Sequence, residues 1–219
     1  MLTHPTRPDH FLVTAADLEP ASPGSTLPPA VAARADALRS VLDWARTYLT
    51  EPHPDLGRAG PVCPFVGSSL REERFHLAVR PGRPADRAAV AEAVALHREW
   101  FLLLAPPGTP RAQSTTILVV FPDLPSSEAP ELIDRTQLDL KTAFVEDGLM
   151  LGQFHDLPPE QPGLWNPDFR PLRSPLPMLV IRHMVPTDLP FLVEDPRHRA
   201  AYQRLFGHRG QSARRRVAS

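Results

Sequence analysis

Residues 115–121 read Thr-Thr-Ile-Leu-Val-Val-Phe, the most β-prone run in the chain. β-branched and aromatic side chains follow one another there without polar alternation, the pattern of a central strand covered on both faces. Met178–Met184 (Met-Leu-Val-Ile-Arg-His-Met) repeats the pattern and predicts a second buried strand, and Leu149–Phe154 predicts a shorter one. Phe75, Leu77 and Val79 alternate with Arg74, His76 and Arg80, which predicts a half-buried strand with His76 on its exposed face.

Helical periodicity fills the intervals. Val31, Ala35, Leu38, Leu42, Ala45 and Leu49 recur at three- and four-residue steps until Pro52 and Pro54 end the helix. Pro84 opens a second helix, carrying Val90, Val94, Leu96 and Phe101 to Pro106. Ser126 or Ser127, followed by Glu128 and Glu131, opens a third that Gly148 stops. Thr187 or Asp188 caps a short helix, and residues 196–206 form the last. Helices and strands in this order predict an α+β fold: a single domain with one mixed β-sheet of about four to five strands flanked by helices. Residues 1–29 read as an irregular Pro-rich arm, 30–206 as the domain, and 207–219 as a basic disordered tail carrying Arg209, Arg214, Arg215 and Arg216.

Composition narrows the function. The chain has 219 residues, 42% hydrophobic and 22% charged, enough for one sizeable core. A net charge of −1 argues against a basic nucleic-acid binder. No apolar run approaches the ~20 residues of a membrane span and no basic-then-apolar leader opens the chain, so the expected setting is cytoplasmic, without a membrane partner. Among the 24 Lys and Arg residues only Lys141 is a lysine, and 28 prolines are present, so a single Arg or Pro carries little information. One cysteine excludes an internal disulfide and any multi-cysteine metal cluster.

That cysteine lies in Gly60-Pro61-Val62-Cys63-Pro64-Phe65. Pro64 keeps Cys63 out of the helical region and Pro61 stiffens its approach, so the thiol leaves an extended, braced backbone flanked by Val62 and Phe65. Three chemistries are open to it: a small buried hydrophobe, a nucleophile if a base such as His53, His76 or His155 lies close, or a thiolate ligand to haem iron.

The Cys-Pro-Phe motif at Cys63–Phe65, preceded by a helix carrying Trp44 and followed by Leu118-Val119-Val120-Phe121-Pro122 and a helix with Gln137, resembles the YqcI/YcgG-type haem-thiolate family. Residues 164–169 and 178–189 replace that family's Arg-rich ending, as in a sister family. The resemblance implies haem b with Cys63 as metal ligand, and a haem-dependent monooxygenase that N-hydroxylates an amine or guanidine group in specialised metabolism. It further implies a small-molecule substrate of amine or amino-acid type and an external electron donor. A homodimer is compatible with it.

Around such a centre the candidate catalytic residues are His155 and His183, each at the end of an apolar strand. The candidate cofactor contacts are Phe65, Arg182 and Arg58, with Arg173 next. Arg182 stands out because a charge inside an apolar run must be paired. An arginine-like substrate would also need an anionic partner, for which Asp123, Asp156 and Asp188 are the candidates. Two other readings stay open: a non-catalytic accessory or binding protein, and a non-haem metalloenzyme built on His155 and His183.

Overall fold

The computed structural model describes residues 1–19, 27–161 and 164–217, with backbone alone for 208–217. Pro20 and Pro23 of the N-terminal arm and the side chains of the arginines in the tail lie outside the described residues. Four strands form the main sheet in the order β3-β4-β6-β5: β3 (Phe75–Val79), β4 (Thr116–Val120), β5 (Leu149–Phe154) and β6 (Met178–His183). β3 and β4 run parallel, joined by α5 (Arg87–Leu104), and the remaining pairs are antiparallel. The expected mixed sheet flanked by helices in a single domain is therefore present, with four strands.

Both faces of the sheet are covered, which explains the unalternating apolar runs. Ala78, Ile117, Val119, Leu149, Leu151, Leu179 and Ile181 pack against α5 and α6 (Arg135–Glu146). Leu77, Leu118, Val120 and Met178 face α3 (Ala35–Trp44), whose Leu38, Val41 and Leu42 are buried. Gln137 of α6 donates to the carbonyl of Leu151 at 2.9 Å and ties that helix to β5.

The apolar stripe expected on one helix from Val31 to Leu49 is buried, but it is divided among α2 (Pro29–Ala32), α3 and a π-helical turn at Ala45–Leu49. The third helix likewise enters through a 3-10 turn (Ser126–Glu128) and a π segment (Pro130–Asp134). α4 (Val66–Arg71) follows the Cys-Pro-Phe motif directly. α7 (Pro196–Val217) runs well past Phe206, where the sequence reading ended it and began a disordered tail.

The N-terminal arm is ordered where it is described. β1 (Leu2–Thr3) pairs with β2 (Phe11–Leu12), and Val13 bridges to Leu77, so this hairpin extends the sheet at the β3 edge before α1 (Ala15–Leu18). His4 packs edge-on against Trp100 of α5, and Arg80 reaches the His10 ring at 2.8 Å. This cover corrects the expectation for His76. It is buried, and burial together with the nearby Arg74 pushes its pKa down to about 4.

Candidate functional site

A cleft of about 700 Å³ opens at the opposite edge of the sheet. The π-helical turn after α3 positions one wall, the long connection between β5 and β6 the other. Aromatic contacts run along it without a break. Phe154 meets Trp44 edge-on at 5.8 Å, Trp44 stacks on Tyr48 at 6.1 Å, Tyr48 meets His53 at 6.1 Å, and His53 stacks on Phe169 at 4.5 Å. Asp55, Asp156 and Asp168 supply negative charge, Arg170 and Arg173 positive charge.

The outer wall is fastened from below. Asn166 donates to Asp55 at 3.0 Å, and Trp165 lies across Gly57, which adopts φ +69°. A Cβ at Gly57 would collide with Trp165, so glycine is required for space as well as for the left-handed backbone. Arg170 is spent on this loop, donating to the carbonyls of Pro167 and Phe169 and to Glu160 at 3.0 Å. Burial pushes the Tyr48 phenol up, opposed by the charge of Arg173 on the same cleft.

His155 is fully buried behind the cleft. Its Nδ1 accepts the backbone N–H of Leu157 at 3.3 Å, which leaves the proton on Nε2 to donate to Asp134 at 3.0 Å. Asp134 closes the π segment that leads into α6. The ring is fully used and acts as a bracket for the chain that carries Asp156. Asp156 itself gains nothing from it. Its Oδ1 lies 3.8 Å from His155 Nδ1, an atom with no proton to give, and is buried without a hydrogen-bond partner although 43% of the side chain is exposed.

His183 is elsewhere. It pairs with Leu149 at the start of β5, whereas His155 follows the end of that strand. At ~3.4 Å per residue the two stand roughly 20 Å apart along the sheet. His183 donates Nε2–H to the carbonyl of Ala105 at 2.6 Å and packs against Phe101. The non-haem centre expected from His155 and His183 is thereby corrected, because one ion cannot be ligated across that span. No group of three or more His, Cys, Asp or Glu among the described residues is arranged to hold a metal ion.

Cys63 is half-buried against the α3-side core and donates its backbone N–H to the carbonyl of Leu49 at 2.8 Å. It is not among the residues lining the cleft. Phe65 is half-buried at the start of α4, its carbonyl accepting from Ser68 and Ser69. Arg58 donates to the carbonyls of Ala59 and Val62.

Arg182, the expected clamp for a propionate or substrate carboxylate, is already held by Asp188 through two 2.7 Å hydrogen bonds. Burial works against its charge, but Asp188, with Cys63 nearby, raises its pKa above the ordinary arginine range. Asp188, offered by sequence as an anionic partner for a ligand, is thus the partner of Arg182. Asp123 is likewise held by Arg34. The residues at the thiol therefore do not fit a haem held there with these clamps, and no step is derived through one.

Of the sequence candidates, His53, Asp156 and Arg173 reach the cleft, His53 without Cys63 beside it on the lining. Trp44 entered the sequence reading only as part of the resemblance, and Tyr48 did not enter it; neither was expected to line a cleft. Their spacing of four residues, off the buried stripe of the same helix, was the available signal.

These features define an α+β domain with an aromatic-walled cleft carrying both signs of charge. The chain belongs to the family described as Domain of unknown function (DUF6875), whose model matches residues 38–217. No curated protein and no solved structure matches it. No helix among the described residues is long and apolar enough to cross a membrane.

Proposed function

We propose that the protein binds a small molecule through a cationic nitrogen, amine or guanidine, received in the cleft by Asp156 and the Trp44–Tyr48 wall. One observation carries the reading: Asp156 lines the open cleft with 43% of its side chain exposed, and its carboxylate accepts no hydrogen bond among the described residues. A carboxylate with no donor of its own offers a ligand N–H, at its exposed side, a charge-assisted hydrogen bond worth about 1.5–3 kcal/mol. Aromatic faces favour the same charge, since a cation over Trp or Tyr gains about 0.5–2 kcal/mol. The three carboxylates outnumber the two guanidinium groups on the cleft, one of which, Arg170, is engaged with Glu160. A volume of about 700 Å³ suits a small ligand. Oxygenase chemistry at a Cys63-bound haem, with the electron donor it would require, forms no part of this reading.

Calorimetric titration with agmatine and phenethylamine tests it, with tryptophan fluorescence as a second readout. Saturable binding is expected, weakened about tenfold or more in Asp156→Asn, which keeps the shape and removes the charge. Absence of binding, or equal affinity in Asp156→Asn, would overturn the proposal.

A further inference from the structure

Arg173 and Asp156 line the same cleft from two chain segments that the backbone ties together. His155 forms a parallel bridge with Arg173, and Ser174 donates its N–H to the His155 carbonyl at 2.9 Å. Asp156 follows one of these bridged residues directly, and both charged side chains line one cleft. They do not form an ion pair with each other, and among the described residues the Arg173 guanidinium has no ion pair or side-chain hydrogen bond.

Resting on the cleft reading above, we infer that Asp156 and Arg173 together form a receptor for an α-amino-acid head group. Asp156 accepts from the ammonium, Arg173 donates to the carboxylate, and the ligand's side chain lies along Trp44, Tyr48 and the His53–Phe169 stack. Each partner suits its task. A guanidinium offers parallel N–H donors matched to a carboxylate, and Asp156 already has an unpaired oxygen in the wall. Opposite charges on adjacent carbons of the ligand match opposite charges carried on adjacent strands of the bridge. Arg170 does not compete for the carboxylate, because Glu160 and the loop carbonyls hold it.

The test compares amino acids with their decarboxylated counterparts: L-arginine with agmatine and L-phenylalanine with phenethylamine, on wild type and Arg173→Met. Arg173 is exposed, so the variant is expected to fold, and circular dichroism checks this. In wild type each amino acid should bind about tenfold or more tightly than its amine. In Arg173→Met the gap should vanish or reverse, since the carboxylate then meets only Asp55, Asp156 and Asp168. Amines binding as well as amino acids to wild type would overturn the head-group assignment while leaving the cleft reading intact. A gap that persists in Arg173→Met would also overturn it. No binding by any of the four would overturn both.

Discussion

Arg182 and Asp188 face each other through two 2.7 Å hydrogen bonds at the end of β6, with Asp188 buried and also accepting the backbone N–H of Val185 at 2.8 Å. The pair locks the 3-10 turn Pro186–Phe191 onto the sheet. Asp188→Ala would leave an arginine without its counter-ion and a buried N–H without an acceptor. Because 31% of Arg182 remains exposed, water screens part of the loss. The expected cost is about 2–4 kcal/mol, read as a lower urea midpoint at unchanged slope. Affinity for cationic ligands at the cleft should change less than twofold in protein that remains folded. A large affinity loss with little destabilisation would return Arg182 to the ligand site.

Two histidines make stability depend on pH before the carboxylates do. Burial pushes His76 and His97 down to about 4, His97 inside α5 with Nδ1–H donating to the Ala93 carbonyl at 2.6 Å. Unfolded, each takes a proton near pH 6.5; folded, only near 4. Their contribution is complete above pH 6.5, falls as pH drops through 6.5 to about 4, and falls no further below that. Each adds a slope of up to about 1.4 kcal/mol per pH unit in this window. Urea unfolding at pH 7.5, 6.5 and 5.5 should show the decline, with a shallower slope in His97→Gln. A flat profile between pH 6.5 and 5.5 would contradict the burial of both rings.

The strands were readable because each is a continuous run in which position and burial coincide. Leu149–Phe154 is found at the expected residues, and Thr116–Val120 and Met178–His183 within one residue of the expected ends. His76 was misread because alternation describes one strand, whereas its burial depends on α5 and the N-terminal segment packing from elsewhere in the chain. Arg182 was rightly marked as needing a partner, but periodicity carries no information about which carboxylate meets it. The cleft was least legible. Its walls come from the segment after α3 and from the loop joining β5 to β6, where proline-rich sequence leaves no period, and Asp156 gains meaning only from the hydrogen bonds around it.

Cys63 tests the expectation carried by the Cys-Pro-Phe motif. Its thiol stands off the cleft and both arginines expected near it are engaged. Any hemin the protein takes up should therefore be held without sulfur. Wild type and Cys63→Ser titrated with hemin should give superimposable Soret spectra, and the reduced CO complex should lack the red-shifted band of thiolate ligation. A red-shifted band present in wild type and lost in Cys63→Ser would restore the thiolate centre and place the cofactor outside the cleft described here.

Gly57 and Trp165 hold the outer wall of the cleft, and a single methyl group should release it. At φ +69° an alanine is strained by roughly 1 kcal/mol, and its Cβ would run into Trp165. The neighbouring Asn166–Asp55 hydrogen bond of 3.0 Å depends on the same approach of the two segments. Gly57→Ala should therefore cost about 1–3 kcal/mol overall, with the wall displaced before the sheet unfolds. Limited proteolysis should cut faster between residues 157 and 173 in Gly57→Ala, while amide exchange in β4 and β6 stays slow. Ligand affinity at the cleft should fall with the wall, because Phe169 and Arg173 lie on the released segment. Trp165→Gly separates the two causes: it removes the Cβ and the ring that an alanine at position 57 would meet but not the strain, so combined with Gly57→Ala it should recover only part of the loss. Unaltered proteolysis in Gly57→Ala would mean that the wall is held by its remaining contacts and that Trp165 does not fasten it.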